Sequence, residues 1–512
     1  MIPLVTTQSI RNLDLAATKG DPQAGFTLML QAGHALARCI VELQAKHNLA
    51  RVVFLCGKGH NGGDGLVAAV ELSRSGVDAD VFTMQAPPDD SADSVLKRTW
   101  NYFHQAHLKS KCWSFEHLPK GPFLVVDCVL GTGARSGHSN HPMIKWLAGF
   151  AGVVLQADFP SVLVLEEHDL QKRQGLFYTL EFGMRRIESL YPNQSVSYGK
   201  IYGASLEYKL PSNNEYAPAV AYLHEPKDVS QTLPTPPVGC DKRSRGVLWA
   251  GVGSLGMWGA QKYVVDAAYA CGCGLVKVGS PASEAKHILT PQAVHSDLVP
   301  EAMVQNPNEV LKGCNAFVLG PGMGNVAGAW VRDWFLQAPI PGVFDADALN
   351  ALAYTGGVPQ NMGAMRVLTP HLREAKRLWP EIPSTWKERL DWCKQIAQSL
   401  HIVLVLKDQP VICALPNGKC FVYPYANPAL AKAGTGDVLS GLLGALLAQE
   451  QTLESVLNGV WLHCACGVEA AHLKGVFSVE PKDITRQLPK VLFKLGVAAM
   501  PVHLEDNLWN PN

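Results

Sequence analysis

The stretch Ala433–Gly441, Ala-Gly-Thr-Gly-Asp-Val-Leu-Ser-Gly, combines a candidate anion site with a candidate base. Gly434 and Gly436 stand directly before an apolar run, Val438–Ala448, that is long enough for about three helical turns. This pattern predicts a loop that opens a helix, where free backbone N–H groups and the helix dipole bind a phosphate. A carboxylate at Asp437 would repel the phosphate unless it accepts a proton from a hydroxyl group. We interpret the stretch as a phosphoryl site with its base; the alternative is that Asp437 only caps the helix.

A second glycine-rich segment, Gly57–Gly65, has the sequence Gly-Lys-Gly-His-Asn-Gly-Gly-Asp-Gly. It lies between an apolar strand candidate, Arg51–Cys56, and a helix-like stretch, Leu66–Ser75, which is a geometry that lets backbone approach a phosphate. The segment also matches the dinucleotide fingerprint, but the next strand, Ala79–Met84, ends in Gln85 rather than in a ribose-binding acid. An ordinary NAD-dependent dehydrogenase is therefore disfavoured.

Two further strand candidates end in carboxylates. Phe123–Val126 leads to Asp127 and then to Gly131-Thr132-Gly133, and Val153–Leu155 leads to Asp158. The carboxyl ends of parallel strands meet at one edge of a sheet, where ligands bind. We expect these loops to converge on one site, although a turn or a helix cap remains the alternative for each aspartate.

In this order, the segment Gly57–Gly65 and the motifs Val-Asp-Cys-Val-Leu-Gly-Thr-Gly and Ala-Asp-Phe-Pro-Ser resemble the YjeF N-terminal family, the NAD(P)H-hydrate epimerases. The resemblance implies a Rossmann-like, doubly wound α/β domain in which Asn61, Asp127 and Ser161 bind potassium. Oxygen ligands suit such a hard cation. It also implies that the Asp158 carboxylate assists loss and return of the C6 hydroxyl group of the hydrated nicotinamide. The substrate-binding residues that it implies are His60, Asn61, Gly62, Gly63, Asp64, Gly131, Thr132, Gly133, Ala134, Arg135, Ser136, Gly137 and Asp158.

Two positions depart from this family's pattern. His60 stands where the family usually has a second asparagine, and Val162 stands where it usually has glycine. If that glycine needs a positive φ or a close approach to the ligand, the β-branched Val162 would be costly.

The second half of the chain predicts another α/β domain. A proline-rich stretch between Leu210 and Gly239 separates the halves, so we predict domains at residues 1–212 and 226–505, joined by a linker at 213–225. The strand candidates, which alternate with helix-length segments, are Val247–Ala250, Leu275–Val278, Ala316–Leu319, Val343–Phe344, Arg366–Leu368 and Ile402–Leu406. Four of these strands are followed by candidate functional segments: Gly320-Pro321-Gly322-Met323-Gly324, Asp345-Ala346-Asp347-Ala348-Leu349-Asn350, Thr369-Pro370-His371, and Lys407. For His371, a functional role and a purely structural role as a helix cap or core residue are equally open.

Together with Ala-Gly-Thr-Gly-Asp, these segments resemble the YjeF C-terminal family, the ADP- or ATP-dependent NAD(P)H-hydrate dehydratases, which have a ribokinase-like fold. The resemblance implies that the hydrate contacts Ala260, Gly322, Gly324, His371 and Asp437. The nucleotide-binding residues that it implies are Lys407, Asp408, Gln409, Pro410, Val411, Gly434 and Gly436.

The fusion of both domains implies a bifunctional repair enzyme that epimerises R- and S-NAD(P)HX and dehydrates S-NAD(P)HX. Asp437 would take the hydroxyl proton as the terminal phosphoryl group of ADP moves to that oxygen, with magnesium neutralising charge. Loss of phosphate would then restore NAD(P)H and leave AMP. Two alternatives stay open: a ribokinase-like kinase of a small metabolite, and a nucleotide-binding protein with weakened catalysis.

The second domain also departs from its family. Asp408–Val411 replaces a segment close to Gly-Ala-Gly-Thr, so Pro410 removes an N–H donor and Asp408 could place negative charge near the nucleotide phosphates. Leu372-Arg373 replaces the usual Pro-Gly after His371, and Gln292 replaces a glutamate. We expect these changes to weaken nucleotide binding.

Composition limits the classes of partner. The chain has 512 residues, 47% hydrophobic, with 44 Lys and Arg against 44 Asp and Glu. A net charge of zero gives no reason to expect nucleic-acid or membrane partners. Because Met1–Asp14 has no targeting pattern and the thirteen cysteines are scattered, we expect a cytoplasmic protein with reduced thiols. The resemblance further implies a homo-oligomer.

Overall fold

The computed structural model describes residues 1–84, 94–112, 118–132, 141–165, 174–210, 212–236, 239–280, 290, 292–297, 306–424 and 427–497. The chain divides into two compact units. One runs from Pro3 to Val220, and the other runs from Ala221 onward and includes Met1 and Ile2.

The first unit is built on a parallel sheet. Its strands are β1 (Ile2–Val5), β2 (Arg51–Cys56), β3 (Ala79–Thr83), β4 (Ser110–Cys112), β5 (Phe123–Cys128), β6 (Val153–Ala157), β7 (Leu176–Phe182), β8 (Arg185–Arg186) and β9 (Lys200–Ala204). Within the described residues, the sheet has seven strands in the order β4-β3-β2-β5-β6-β7-β9, and every neighbouring pair is parallel. The short strand β1 pairs with β8. This order places the ends of β2, β5 and β6 side by side.

Helices cover both faces of this sheet. They are Thr7–Thr18, Pro22–His47, His60–Arg74, Ser94–Gln105, Pro142–Gly149, Ser195–Tyr198 and Asn213–Tyr216, with 3₁₀ turns at Ser161–Val164 and Glu188–Leu190. Leu124 and Val126 of β5 pack in one buried cluster with Leu36, whereas Val125 between them packs in another cluster with Ile144. Successive residues of a strand point to opposite faces, so a strand buried on both faces is apolar throughout. The predicted doubly wound α/β architecture is confirmed.

The second unit is also α/β. Its strands are β10 (Ala221–Leu223), β11 (Val247–Gly251), β12 (Leu275–Ser280), β13 (Val294–Asp297), β14 (Ala316–Leu319), β15 (Gly342–Phe344), β16 (Arg366–Leu368), β17 (Val403–Leu406), β18 (Val411–Ala414) and β19 (Cys420–Tyr423). Their order is β13-β12-β11-β14-β15-β16-β17-β18-β19-β10. The pairs from β13 to β17 are parallel, while β17, β18 and β19 form an antiparallel segment. The ends of β14, β15, β16 and β17 therefore lie along one edge.

The helices of the second unit are Pro226–Thr232, Trp258–Ala270, Pro307–Val310, Trp330–Gln337, Asp347–Tyr354, Leu372–Leu378, Trp386–Leu400, Thr435–Gln449, Leu453–Lys474 and Pro481–Lys494, with 3₁₀ turns at Gly324–Val326 and Pro428–Leu430. The helix Thr435–Gln449 is buried along most of its length. Gly434 precedes it with a φ of +91°, in the left-handed region that favours glycine. The predicted helix is confirmed, but it begins at Thr435, so Gly436 and Asp437 lie in its first turn rather than in the preceding loop.

The prediction for the glycine segment of the first unit was wrong in one respect. The helix begins at His60, so His60–Gly65 forms its first turns rather than a loop. Packing explains the difference, because a Cβ atom at Gly62 would lie 2.0 Å from the Gly57 carbonyl oxygen. The glycines serve close packing here, and this packing outweighs their low helix propensity.

The helix Pro22–His47 is apolar and long enough to cross a membrane by length and composition alone. A buried core helix passes the same test. Several of its residues, including Leu36, Ile40 and Leu43, pack in the core of the first unit.

All thirteen cysteines are free thiols. Eleven are buried, whereas Cys112 is exposed and Cys240 is partly exposed. Burial raises the pKa of several of these thiols, and the pKa of Cys464 rises to about 12.

We predict that one added methyl group between the helices Trp258–Ala270 and Thr435–Gln449 destabilises the second unit. A Cβ atom at Gly441 would lie 2.4 Å from the backbone oxygen of Val264 and 2.9 Å from Ala267 Cβ. Gly441→Ala should therefore lower the free energy of unfolding by about 1–3 kcal/mol, measured by urea titration. At Gly259 a Cβ would meet only Tyr263, at 3.9 Å. Equal effects of Gly441→Ala and Gly259→Ala would contradict this packing argument.

Candidate active sites

The predicted residues at the ends of β5 and β6 lie together in the first unit. Asp127 is fully buried, and Ser161 Oγ lies 2.5 Å from its Oδ1 while the Ser161 N–H donates to Oδ2 at 2.9 Å. The Leu130 N–H donates to Ser161 Oγ at 2.8 Å. These bonds connect the two strand ends through side chains.

Asn61 lies beside this pair, in the first turn of the helix His60–Arg74. Its Nδ2 donates to the Leu130 carbonyl oxygen at 2.7 Å. Its Oδ1 is buried and has no hydrogen-bond partner among the described residues. A buried amide oxygen without a donor is costly unless something positive meets it. The oxygens of Asn61, Asp127 and Ser161 therefore fit a hard cation such as potassium.

Asp158 is fixed in a strained conformation just after β6. Its φ is +64°, which is uncommon for a residue other than glycine. Arg186, almost fully buried, donates from Nη1 to the Asp158 carbonyl oxygen at 2.9 Å and from Nη2 to Oδ1 at 2.5 Å. The Phe182 N–H also donates to Oδ1, at 3.3 Å. These contacts hold the carboxylate in one orientation.

Asn61, Asp158 and Arg186 line a cavity of about 840 Å³ in the first unit, whereas Asp127 and Ser161 are not part of its lining. The volume lies in the range typical of small-molecule sites. Of the residues predicted to bind substrate, the lining includes His60, Asn61, Asp64, Gly131, Thr132 and Asp158. Gly62 and Gly63 are buried in the same helical turn as Asn61. The remaining predicted contacts, Gly133, Ala134, Arg135, Ser136 and Gly137, lie outside the described residues.

Further carboxyl groups face the same cavity. Burial, together with Asp158 and Asp14, raises the pKa of Asp64 well above its ordinary value. Burial and the charge of Asp158 also raise the pKa of Asp14, to about 6. The cavity thus places several acids near one another, and at least one of them titrates close to neutral pH.

The expected strain at Val162 is absent. Val162 lies in the 3₁₀ turn Ser161–Val164, is fully buried, and is not among the described residues with positive φ. It packs with Leu130 and Leu147 in the core. The substitution of valine for glycine is therefore accommodated as a core contact.

In the second unit, the side chain of Lys407, which follows β17, contacts Asp345, which follows β15. Its Nζ lies 2.7 Å from Asp345 Oδ1 and 3.9 Å from Glu374 Oε2. Ser440, on the helix Thr435–Gln449, donates from Oγ to Asp345 Oδ2 at 2.8 Å. Burial alone would lower the pKa of Lys407, but Asp345 and Glu374 outweigh burial and raise it. Lys407 is therefore a stable cation held among carboxylates.

Asp437 lies in the first turn of the helix Thr435–Gln449, close to this cluster. Burial and the charge of Asp345 raise its pKa to about 6, while Lys407 opposes the rise. A Cβ atom at Gly436 would lie 3.3 Å from Lys407 Nζ and 3.6 Å from Asp345 Oδ2. The small residue keeps the space in front of the cation open. The arrangement offers a carboxylate with a pKa just below neutrality, a cation and helix N-terminal N–H groups.

His371 has the capping role that the sequence left open. Its Nδ1 accepts hydrogen bonds from the Arg373 and Glu374 N–H groups, at 3.1 and 3.2 Å, and so caps the helix Leu372–Leu378. Nε2 lies 3.5 Å from Glu374 Oε1. The Lys407 N–H donates to the Pro370 carbonyl oxygen at 2.8 Å, which places His371 beside the Lys407 cluster.

Ala260, Gly322 and Gly324 form a separate group of small residues. A Cβ atom at Gly322 would lie 2.7 Å from Ala260 Cβ, so the glycine loop packs directly on the helix Trp258–Ala270. The Gly324 N–H donates to Asp347 Oδ2 at 2.7 Å. Asp347 begins the helix after β15, and its charge also raises the pKa of Asp437.

The negative charge of Asp408, which the sequence suggested could lie near the nucleotide phosphates, is paired within the fold. Arg389 Nε lies 2.7 Å from Asp408 Oδ2, and both side chains are largely buried. The Gln409 N–H donates to Asp408 Oδ1 at 2.8 Å, and Trp386 Nε1 donates to the Pro410 carbonyl oxygen. The carboxylate, in the loop between β17 and β18, is therefore compensated by Arg389 of the helix Trp386–Leu400. Val411 begins β18.

Several residues of these sites were not predicted from the sequence. Arg186, Asp14 and Tyr208 in the first unit, and Glu374 in the second, are examples. Glu374 lies three residues after His371, which is the spacing of a capping box and could have identified it. The other three carry no comparable spacing, because they reach the cavity from segments distant in sequence.

Comparison with known proteins gives matches to both units. A family model described as "NAD(P)H-hydrate dehydratase" matches residues 251–490, and one described as "YjeF-related protein N-terminus" matches residues 25–173. A bifunctional NAD(P)H-hydrate repair enzyme of Gloeobacter violaceus is 32% identical over 482 residues, 89% of this chain and 91% of that protein. An enzyme of the same name from Moorella thermoacetica is 29% identical over 96% of this chain and 97% of that protein.

A solved structure is also similar. It is the ADP/ATP-dependent NAD(P)H-hydrate dehydratase of Bacillus subtilis, co-crystallized with ATP and Mg²⁺. The two sequences are 26% identical, with a TM-score of 0.47, and the match covers 54% of this chain and 99% of that one.

We predict that replacing Asp437 stabilises the fold above neutral pH. A folded-state pKa of about 6, against an ordinary 3.8, means that folding favours the protonated form. The stability that this group contributes is therefore lost as pH rises from about 4 to 6. Asp437→Asn should raise the free energy of unfolding by roughly 1–3 kcal/mol at pH 8, and by much less at pH 4. Urea titrations at both pH values measure the difference.

The matched control is Asp391→Asn, which makes the same change on the exposed face of the helix Trp386–Leu400. It should leave the stability of the chain nearly unchanged at both pH values. An Asp437→Asn variant that is less stable than the native chain at pH 8 would contradict the prediction.

Proposed function

Because this chain belongs to the family of bifunctional NAD(P)H-hydrate repair enzymes, we propose that it repairs hydrated nicotinamide nucleotides in two steps. The first unit interconverts R- and S-NAD(P)HX. The second unit dehydrates S-NAD(P)HX to NAD(P)H at the expense of ADP, with AMP and phosphate as the other products. The observation that carries the dehydratase assignment is the placement of Asp437 beside the Lys407–Asp345 pair, at the N-terminus of a buried helix.

Asp437 has the properties of the base. A pKa of about 6 leaves it mostly ionised at neutral pH, yet strong enough to accept a proton from a hydroxyl group as the oxygen bonds to phosphorus. Lys407 and the N–H groups of the helix Thr435–Gln449 can stabilise charge on the transferred phosphoryl group. The C6–O bond then breaks with its electron pair on the departing phosphate, and the neighbouring ring carbon gives its proton to solvent water, which restores the double bond.

Magnesium fits the same edge of the sheet. The carboxylates of Asp345 and Asp347 are the hard oxygen donors that Mg²⁺ prefers, and Mg²⁺ commonly uses one or two carboxylates together with substrate phosphates. Among the described residues no group of three or more His, Cys, Asp or Glu side chains could hold a metal ion by itself. The ion would neutralise charge on the nucleotide phosphates.

In the first unit, Asp158 would serve as a proton donor and acceptor for the C6 hydroxyl group. Potassium would be held by Asn61, Asp127 and Ser161 and would supply positive charge near the substrate. The unpartnered Asn61 Oδ1 supports this assignment. The balanced charge of the chain gives no reason to expect a nucleic-acid or membrane partner. A cytoplasmic location and assembly into a homo-oligomer are further parts of the proposal.

We predict that the purified chain restores NADH from S-NADHX when ADP and magnesium are present. Recovery of the NADH absorbance measures the reaction, with ATP in a parallel sample. Asp437→Asn should slow it at least 100-fold, because the hydroxyl group keeps its proton. Asp391→Asn should react at the native rate.

A native chain that binds adenine nucleotide but restores no NADH would contradict the dehydratase proposal. Formation of a phosphorylated small metabolite would then identify a ribokinase-like kinase. Nucleotide binding without turnover of either kind would identify a binding protein.

We also predict that potassium stabilises the first unit through Asn61. Exchange of NaCl for KCl at constant ionic strength should raise its melting temperature, because an ion at ten times its Kd adds about 1.4 kcal/mol. Asn61→Ala should abolish the difference, while Asn101→Ala, an exposed position on the helix Ser94–Gln105, should retain it. Equal stabilisation of all three chains would exclude a potassium site at Asn61.

A further inference from the structure

A second carboxyl group in the cavity of the first unit has no role in the scheme above. Asp14, on the helix Thr7–Thr18, lines the same cavity as Asp158. Tyr208 Oη donates to Asp14 Oδ1 at 3.1 Å, and Tyr208 also lines the cavity. Asp14 and Tyr208 come from opposite ends of the unit's sequence, so the fold brings them together at this point.

The chemistry of epimerisation requires two positions for proton exchange. The R and S epimers carry the C6 hydroxyl group on opposite faces of the nicotinamide ring. Loss of water from one face and its return to the other requires a proton donor on the first face and a proton acceptor on the second. A single carboxyl group could serve both only if it moved around the ring.

Asp158 is not free to move in that way. Two hydrogen bonds from Arg186 and one from the Phe182 N–H hold it, and its backbone is fixed at a positive φ. A carboxylate with these contacts reaches one face of a bound ring.

Asp14 is better suited than Asp64 to serve the other face. The charged and polar groups around Asp14 include Asp158, Arg186, His60, Tyr208 and Asp64. In these surroundings burial and Asp158 raise its pKa to about 6, so both its protonated and ionised forms are populated near neutral pH. Burial, Asp158 and Asp14 raise the pKa of Asp64 well above its ordinary value, which favours the form that already holds a proton and leaves Asp64 less suited to accept another.

We propose that Asp14 is a second catalytic carboxyl group of the epimerase site, which exchanges a proton with oxygen at the ring face that Asp158 does not reach. This rests on the proposed epimerase function of the first unit. Tyr208 positions Asp14 through its hydroxyl group.

The step balances without another reactant. One carboxylic acid gives its proton to the C6 hydroxyl group, the C6–O bond breaks with its electron pair on oxygen, and water leaves. The ring N1 lone pair forms a C6=N1 iminium ion. A water molecule on the other face then bonds to C6 and gives a proton to the second carboxylate, and the electron pair returns to N1. A proton has moved from one carboxyl group to the other, and exchange with solvent resets both.

Oxygen-18 exchange tests whether Asp14 and Asp158 serve opposite faces of the nicotinamide ring. The full chain, without adenine nucleotide, is mixed with purified R- or S-NADHX in H₂¹⁸O, and chromatography separates the epimers before mass analysis. Asp14→Asn should slow interconversion at least 100-fold while one epimer still exchanges its oxygen with retention at C6. Asp158→Asn should give the reverse pattern, with exchange retained only in the other epimer. Asp80→Asn, on β3 and paired with Lys111, should behave as the native chain.

The outcomes separate this inference from the proposed function. Native interconversion by Asp14→Asn, or loss of exchange in both epimers by this variant, would overturn the role of Asp14. Retained exchange in one epimer also shows that the variant folds. A native chain that neither interconverts the epimers nor exchanges oxygen would overturn the epimerase function itself.

Discussion

In each unit, a cation that is buried or partly buried holds a carboxylate at the carboxyl edge of the sheet. Lys407 contacts Asp345 in the second unit, and Arg186 contacts Asp158 in the first. A buried carboxylate without a partner would protonate or disrupt the fold. These pairs therefore let each unit keep ionised groups in a largely buried site, while nearby acids such as Asp437 and Asp14 are left with a pKa of about 6.

Much of this arrangement was predictable from the sequence because parallel sheets impose it. Apolar strands followed by glycine or aspartate predicted two α/β units, and the neighbouring order of β5 and β6 brought Asp127 and Ser161 together. The helix after Gly434 followed from an apolar run next to small residues. Functional residues at a strand end can therefore be predicted from the sequence, because the fold class determines where the strand ends meet.

The site features that the sequence did not predict depend on contacts between residues distant in sequence. Arg186 and Tyr208 reach the first cavity from segments with no distinctive spacing, and Arg389 neutralises Asp408 from a helix distant in sequence. The start of the helix at His60 was missed because propensity argues against glycines there, whereas tertiary packing requires them. Sequence patterns predict which groups are present at a site but not which charges are already compensated.

Each unit contains buried free thiols, whose reaction with thiol reagents indicates local unfolding of that unit. Cys39, Cys56 and Cys128 are buried in the first unit, and Cys393, Cys413 and Cys464 are buried in the second. Thiol reagents attack the thiolate, so burial and a raised pKa protect these groups until the surrounding core opens. The exposed Cys112 reacts in the folded state. Mass mapping of alkylated peptides therefore measures the local unfolding of each unit separately in the intact chain, without an added label.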